Sequence, residues 1–258
     1  MIARPAGSAF NIVMLSIRFS PRPVTVLTGC VVCLHLANYG SVAPAAEPGD
    51  PVVSALHLSV GRRIGDARKW LEERDFKSLT QTAGGLRVLA GLLQARSDDK
   101  SWQAATDQVL AAIGGLSEAA RGEDAARCTA ALDKLQMAAS AVKAVEPTGK
   151  PQSPRQASGG LRPLMLLMDS IRGDAKIDLL TGNVEGAKKG AYVLSEVGRV
   201  VSNSGSGSAQ DRQRWPELST AFVEASLVAA RSPTTDADTM RQLLRSVSQR
   251  CEACHETR

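Results

Sequence analysis

The sequence predicts an all-α chain built as two tandem antiparallel four-helix bundles, and three observations carry that prediction. Aromatic residues make up only 3% of the 258 residues, whereas the pleated surfaces of strands favour aromatic and β-branched side chains. Apolar residues recur at three- and four-residue intervals from Leu56 onwards, the spacing that lines one face of a helix. The second half then repeats the first, with corresponding positions 108 to 113 residues apart.

Residues 1–45 read as an export signal. Arg18 and Arg22 precede an apolar run from Val24 to Ala37, and Ala43-Pro44-Ala45 supplies the small residues of a processing site, predicting cleavage before Ala46. Met14 as the start would give a signal of ordinary length. Two other readings compete here. Leu27-Thr28-Gly29-Cys30 resembles a lipoprotein box, with Cys30 as lipid anchor, and the 14-residue run could stay as an uncleaved helix, although it is short for a bilayer. Otherwise Cys30 and Cys33 are apolar filler, and the mature form has no stable membrane span. Removing Arg4, Arg18 and Arg22 lowers the net charge from +5 to +2. Basic residues are mixed with acids and few aromatics interleave them, so the composition does not point to nucleic acid.

Four helices follow over residues 46–145. Leu56, Val60, Ile64, Ala67 and Leu71 line the first, and Phe76, Leu79, Ala83, Leu86, Leu89 and Leu93 the second. The third runs from about Trp102 through Val109, Ile113 and Leu116, and the fourth from about Asp124 to Val145. Residues 146–160, rich in Pro, Gly and Ser with no apolar side chain larger than alanine, read as a linker. The second bundle, 161–258, repeats the order. His57 answers Met165, Val60 answers Met168 and Leu93 answers Val201 at an offset of 108 residues, while Trp102 answers Trp215 at 113. Ser202 to Arg214 is expected as a longer loop, with Trp215 and Pro216 opening the third helix.

The chain closes on Cys251-Glu252-Ala253-Cys254-His255, the attachment signature of a c-type haem, whose vinyl groups bond both thiols while the imidazole takes the iron. On a helix, positions three apart share a face, so both sulfurs can reach one porphyrin edge. A zinc pair would need more ligands, and the mature chain offers only Cys128 and His57, far away in sequence. At the offset of 112 residues that relates the fourth helices, Ala139, Val142 and Lys143 stand where the second copy has Cys251, Cys254 and His255. The first bundle is therefore expected to be haem-less and the chain to carry one haem c. Cys128 is expected in the core, and His57 near a surface or turn. Covalent haem attachment takes place outside the cytoplasm, so both ends of the chain predict a periplasmic protein.

With the motif ending the fourth helix of a bundle, and with a Leu180-Thr181-Gly182-Asn183 turn after the first, residues 161–258 resemble the cytochrome c′ superfamily. The resemblance implies that His255 is the proximal ligand and that the first helix supplies the residue facing the distal side of the iron. Met165 is the first candidate and Met168, one turn on, the alternative. A ligating methionine implies low-spin haem and electron transfer with redox partner proteins; an apolar distal side implies a five-coordinate haem that binds or senses a gas such as nitric oxide. A docking subunit, its haem-less bundle recruiting a partner, is a third reading, and a homodimer stays open. Leu243, Leu244 and Val247 are expected to pack on the macrocycle, and Arg250 to pair with a propionate or stay solvated. No acid/base pair, nucleophile constellation or phosphate loop argues for an enzyme.

Overall fold

The computed structural model describes residues 49–152, 161–203 and 209–255, with the helical backbone alone for 209–213, 254 and 255. The export signal, its alternative start Met14 and the cysteines Cys30 and Cys33 lie outside the described residues. The chain is all-α: helices α1 (Pro51–Glu72), α2 (Phe76–Gln94), α3 (Lys100–Arg121), α4 (Ala125–Lys143), α5 (Leu161–Leu180), α6 (Val184–Ser202), α7 (Ala209–Arg231) and α8 (Ala237–His255), with no strand among the described residues. None of them is long and apolar enough to cross a membrane.

At the starts of α1 to α4, α6 and α8 a side chain satisfies an orphan backbone donor, and the two halves repeat the caps of their second and fourth helices. The Asp75 carboxylate accepts from the Ser78 N–H at 2.9 Å, and Asn183 accepts from Gly186 at 2.9 Å. Asp124 accepts from Arg127 at 3.0 Å, and Asp236 from Thr239 at 2.7 Å. The turn before α2 takes a positive φ of 55° at Arg74, and its counterpart Gly182 takes 77°. Glycine meets that requirement without the Cβ penalty that Arg74 bears. The tryptophans repeat as well. Trp102 donates its indole N–H to the Leu93 carbonyl at 2.8 Å and Trp215 to the Val201 carbonyl at 3.0 Å, so the paired donors find the paired acceptors.

Helices α1 to α4 close a ring in which each packs on the next and α4 returns to α1; α5 to α8 follow the same path. The apolar face of every helix points inward, with Leu56, Ile64, Leu86, Leu89, Trp102, Ile113 and Leu132 among the fully buried side chains. The two rings pack on each other within one compact unit, Ala45–Arg258. The joining contacts are α1 on α6 and α2 on α5. Under the repeat these two contacts are images of each other, as in an isologous dimer interface. Gly84 and Gly85 on α2 leave a notch that Pro163 and Leu167 of α5 enter, a Cβ on Gly85 standing 3.4 Å from Leu167 Cδ1. Two to three turns further along α5, Arg62 donates two hydrogen bonds to Asp178, at 2.8 and 2.7 Å, and Arg63 pairs with Asp174.

Two expectations need adjusting. The third helix of the second half starts at Ala209, six residues before Trp215, so Pro216 lies inside α7 rather than at its opening. Residues 209–214 are helix-compatible but polar, and carry no apolar stripe to reveal them. The segment 146–160 is bonded to the first bundle as far as Gln152. Asp98 N–H donates to the Lys150 carbonyl at 3.0 Å and Gln152 N–H to the Ala95 carbonyl at 2.7 Å. Residues 153–160 lie outside the described residues.

Candidate functional site

The α5 stripe that faces the bundle interior carries Leu164, Met168, Ile171 and Ala175, with Met165 at its edge. Across the bundle, the last turns of α8 bring Arg250, Cys251 and Glu252 to the same space. Between them lies a cavity of about 260 Å³ whose lining includes Met165, Met168, Trp215, Phe222, Arg250 and Cys251. Met168 is buried, at 7% exposure, and Met165 and Cys251 are half-buried. Of the sequence-derived candidates, the structure therefore gathers Cys251, both methionines and Arg250. Cys254 and His255 continue α8 as helical backbone, and their side chains lie outside the described residues.

The walls are mostly apolar, and two guanidinium groups break them. Arg172, a turn beyond Met168, has its Nε buried with no hydrogen-bond partner among the described residues, and its Nη1 reaches Asp169 only at 3.4 Å. An unpartnered donor in a buried position is costly and marks a place where an acceptor is missing. The sequence reading missed Arg172; its spacing from Met165 and Met168 on one helical face was the available signal. Leu244 and Val247, expected against the macrocycle, line a second cavity further along the α5–α8 seam, and Leu243 packs against the core.

The first bundle shows what the same positions do without this cavity. His57, the counterpart of Met165, meets the Trp102 ring edge-on, centroid to centroid 6.3 Å. Lys143, the counterpart of His255, lies close enough that its charge adds to burial in lowering the His57 pKa to about 4. His57 is thus half-buried against Trp102 rather than a surface residue, with its imidazole held neutral near pH 7. Cys128 is fully buried in the core, as expected, and burial pushes its thiol pKa up, away from reactivity.

Comparison with protein-family models, curated proteins and solved structures finds no match to this chain. What the site can do is therefore argued from its own residues.

Proposed function

We propose that the second bundle carries one covalently attached haem c and that the chain is an exported electron-transfer protein. The observation that carries this reading is the cavity that brings Cys251, first cysteine of the attachment motif, together with Met165 and Met168 from the opposite helix. In this reading Cys251 and Cys254 form the thioethers, His255 is the proximal ligand, and Trp215, Phe222 and Val201 exclude water from the macrocycle. Arg172 and Arg250 hold the propionates, which would satisfy the buried Nε of Arg172. A cavity of about 260 Å³ falls short of the roughly 300–1,000 Å³ of ligand pockets, so a macrocycle needs more room than it offers. The extra room comes from α5 and α8, the adjacent pair least tied together in the second bundle. Bound haem supplies a one-electron iron couple, and apolar burial together with a thioether ligand favours its reduced form.

In this reading the repeat favours Met165 over Met168. His57 lies within electrostatic reach of Lys143, and their counterparts are Met165 and His255. Carried over to the second bundle, that relation favours Met165 as the distal ligand, with Met168 the alternative. The apolar run before Ala46 and the resemblance of residues 161–258 to the cytochrome c′ superfamily support the same compartment and chemistry. In this reading the first bundle is the haem-less partner of the second and a surface for redox partners.

The test is expression with the haem-attachment machinery, followed by denaturing electrophoresis with haem stain and visible spectra. Covalent haem is expected in the parent and absent in Cys251→Ala/Cys254→Ala. Met165→Leu is expected to turn a low-spin spectrum high-spin and open the iron to carbon monoxide, with Met168→Leu leaving it low-spin. A parent chain that takes no haem sinks the proposal. Rapid carbon monoxide binding by the reduced parent replaces electron transfer with the gas-binding reading.

A further inference from the structure

Further along the α5–α8 seam lies a second cavity of about 440 Å³. Its floor is apolar, with Leu179, Leu194 and Val247 all buried. Its rim carries four cations, Arg172, Lys176, Arg241 and Arg245, against a single carboxylate, Glu252. Arg241 is paired with Asp238 and Arg172 leans on Asp169, which leaves Lys176 and Arg245 with no ion pair among the described residues.

The first bundle makes this arrangement informative. The repeat counterparts of Lys176 and Arg245 are Arg68 and Asp133, and these two close the α1–α4 seam with an ion pair at 3.0 Å. Where one bundle has an attracting pair, the other sets two like charges on opposite walls of an apolar cavity. Like charges so placed disfavour closure unless an anion lies between them.

We propose that this seam binds a carboxylate with an apolar body, the carboxylate between Lys176 and Arg245 and the body on Leu179, Leu194 and Val247. An exposed cation 4 Å from a carboxylate in water contributes only about fivefold to binding. A compact anion would therefore not be retained. Each methylene buried on the floor adds roughly fourfold, so an aliphatic chain supplies the affinity and the two cations supply the choice of head group. The site is distinct in its floor from the cavity of Cys251 and Met165 and does not rest on haem attachment.

The experiment is calorimetric titration of the full chain, as purified, with hexanoate, octanoate and decanoate, and with decanol and succinate as controls. Saturable binding is expected to tighten roughly fourfold per methylene, to weaken with salt, and to be at least about tenfold weaker for decanol and succinate, which lose the head or the body. Arg245→Asp recreates the first bundle's ion pair with Lys176 and should weaken decanoate at least about tenfold, and Lys176→Gln about fivefold. Both positions are exposed, so both variants are expected to keep the parent's helical circular dichroism. Absence of saturable decanoate binding overturns the proposal, including the case in which haem propionates already satisfy the two cations. Equal decanoate affinity in parent and Arg245→Asp overturns it as well.

Discussion

The two bundles share helix order, caps and an indole-to-carbonyl bond, and they differ at the seam between first and fourth helix. In the first bundle α1 and α4 run together, tied by Arg68 and Asp133, with His57 filling the space before Trp102. In the second, α5 and α8 meet over a short stretch among the described residues, and two cavities open beside them. The two seams differ at most of their positions, among them methionine for His57 and Val60, Arg172 for Ile64 and a cation for Asp133, besides the motif itself. One scaffold thus gives a filled first–fourth seam and a receptive one, because helix packing tolerates substitutions at one seam while the others hold the fold.

The largest test of that contrast is on the tryptophans. Trp102→Ala removes a fully buried indole and its bond to Leu93, and should cost about 3–5 kcal/mol in urea unfolding. Trp215→Ala removes the same bond, but one side of Trp215 already borders a cavity, so about 2 kcal/mol is expected. Equal losses would mean that the second core is as filled as the first.

The sequence made the helices legible because apolar residues repeat with helical period, and the tandem order legible because Trp102 and Trp215 mark corresponding points. Met165, Met168 and Cys251 were legible as a set only through the attachment motif. The rest depended on information that periodicity does not hold. The polar start of α7 has no apolar stripe. The like-charged seam, Lys176 opposite Arg245, becomes visible only when the repeat is read residue by residue against the Arg68–Asp133 pair. Arg172 needed the structure, since a buried Nε without an acceptor, which Arg63 also has, falls here on the wall of a cavity.

The second test concerns the interface that lets the two cores share one unit. Asp178 is buried and accepts two hydrogen bonds from Arg62, whose side chain is 26% exposed. Breaking a fully buried pair costs about 3–5 kcal/mol, and solvent access to Arg62 lowers the expectation for Asp178→Ala to about 2 kcal/mol. Because α5 carries Asp178 as well as both methionines, the loss should appear, in a chain carrying the proposed haem, with a shift in its visible spectrum if the second bundle depends on the first for its shape. A stability loss with an unchanged spectrum separates the two.

The third test uses pH to isolate the filled seam. Burial, and then the charge of Lys143, lower the His57 pKa from its ordinary value near 6.5 to about 4. Between those values the unfolded chain binds a proton that the folded chain refuses, so stability falls as pH is lowered through the window and levels off below it. His57→Phe should remove that part of the slope, and Lys143→Met should shrink it by raising the folded pKa. A parent and His57→Phe with parallel pH profiles would show His57 to be as solvated as a surface histidine.

The smallest effect addresses the cause of the open seam. Asp133→Arg gives the first bundle the like charges of the second, and Arg245→Asp gives the second the attracting pair of the first. Exposed pairs are worth only about 0.2–1 kcal/mol, and like charges cost a similar amount, so each swap should move stability by about 1 kcal/mol, down for Asp133→Arg and up for Arg245→Asp. Such a term cannot hold a seam shut against a poorly packed core, but it can decide between two arrangements of similar energy. If Asp133→Arg leaves hydrogen exchange of α4 unchanged, charge is a passenger and the packing of His57 against Trp102 keeps the first seam closed. If α4 exchange rises selectively while α2 and α3 stay protected, then the ion pair is the latch. The second bundle's like-charged pair is in that case what keeps its seam ready to part.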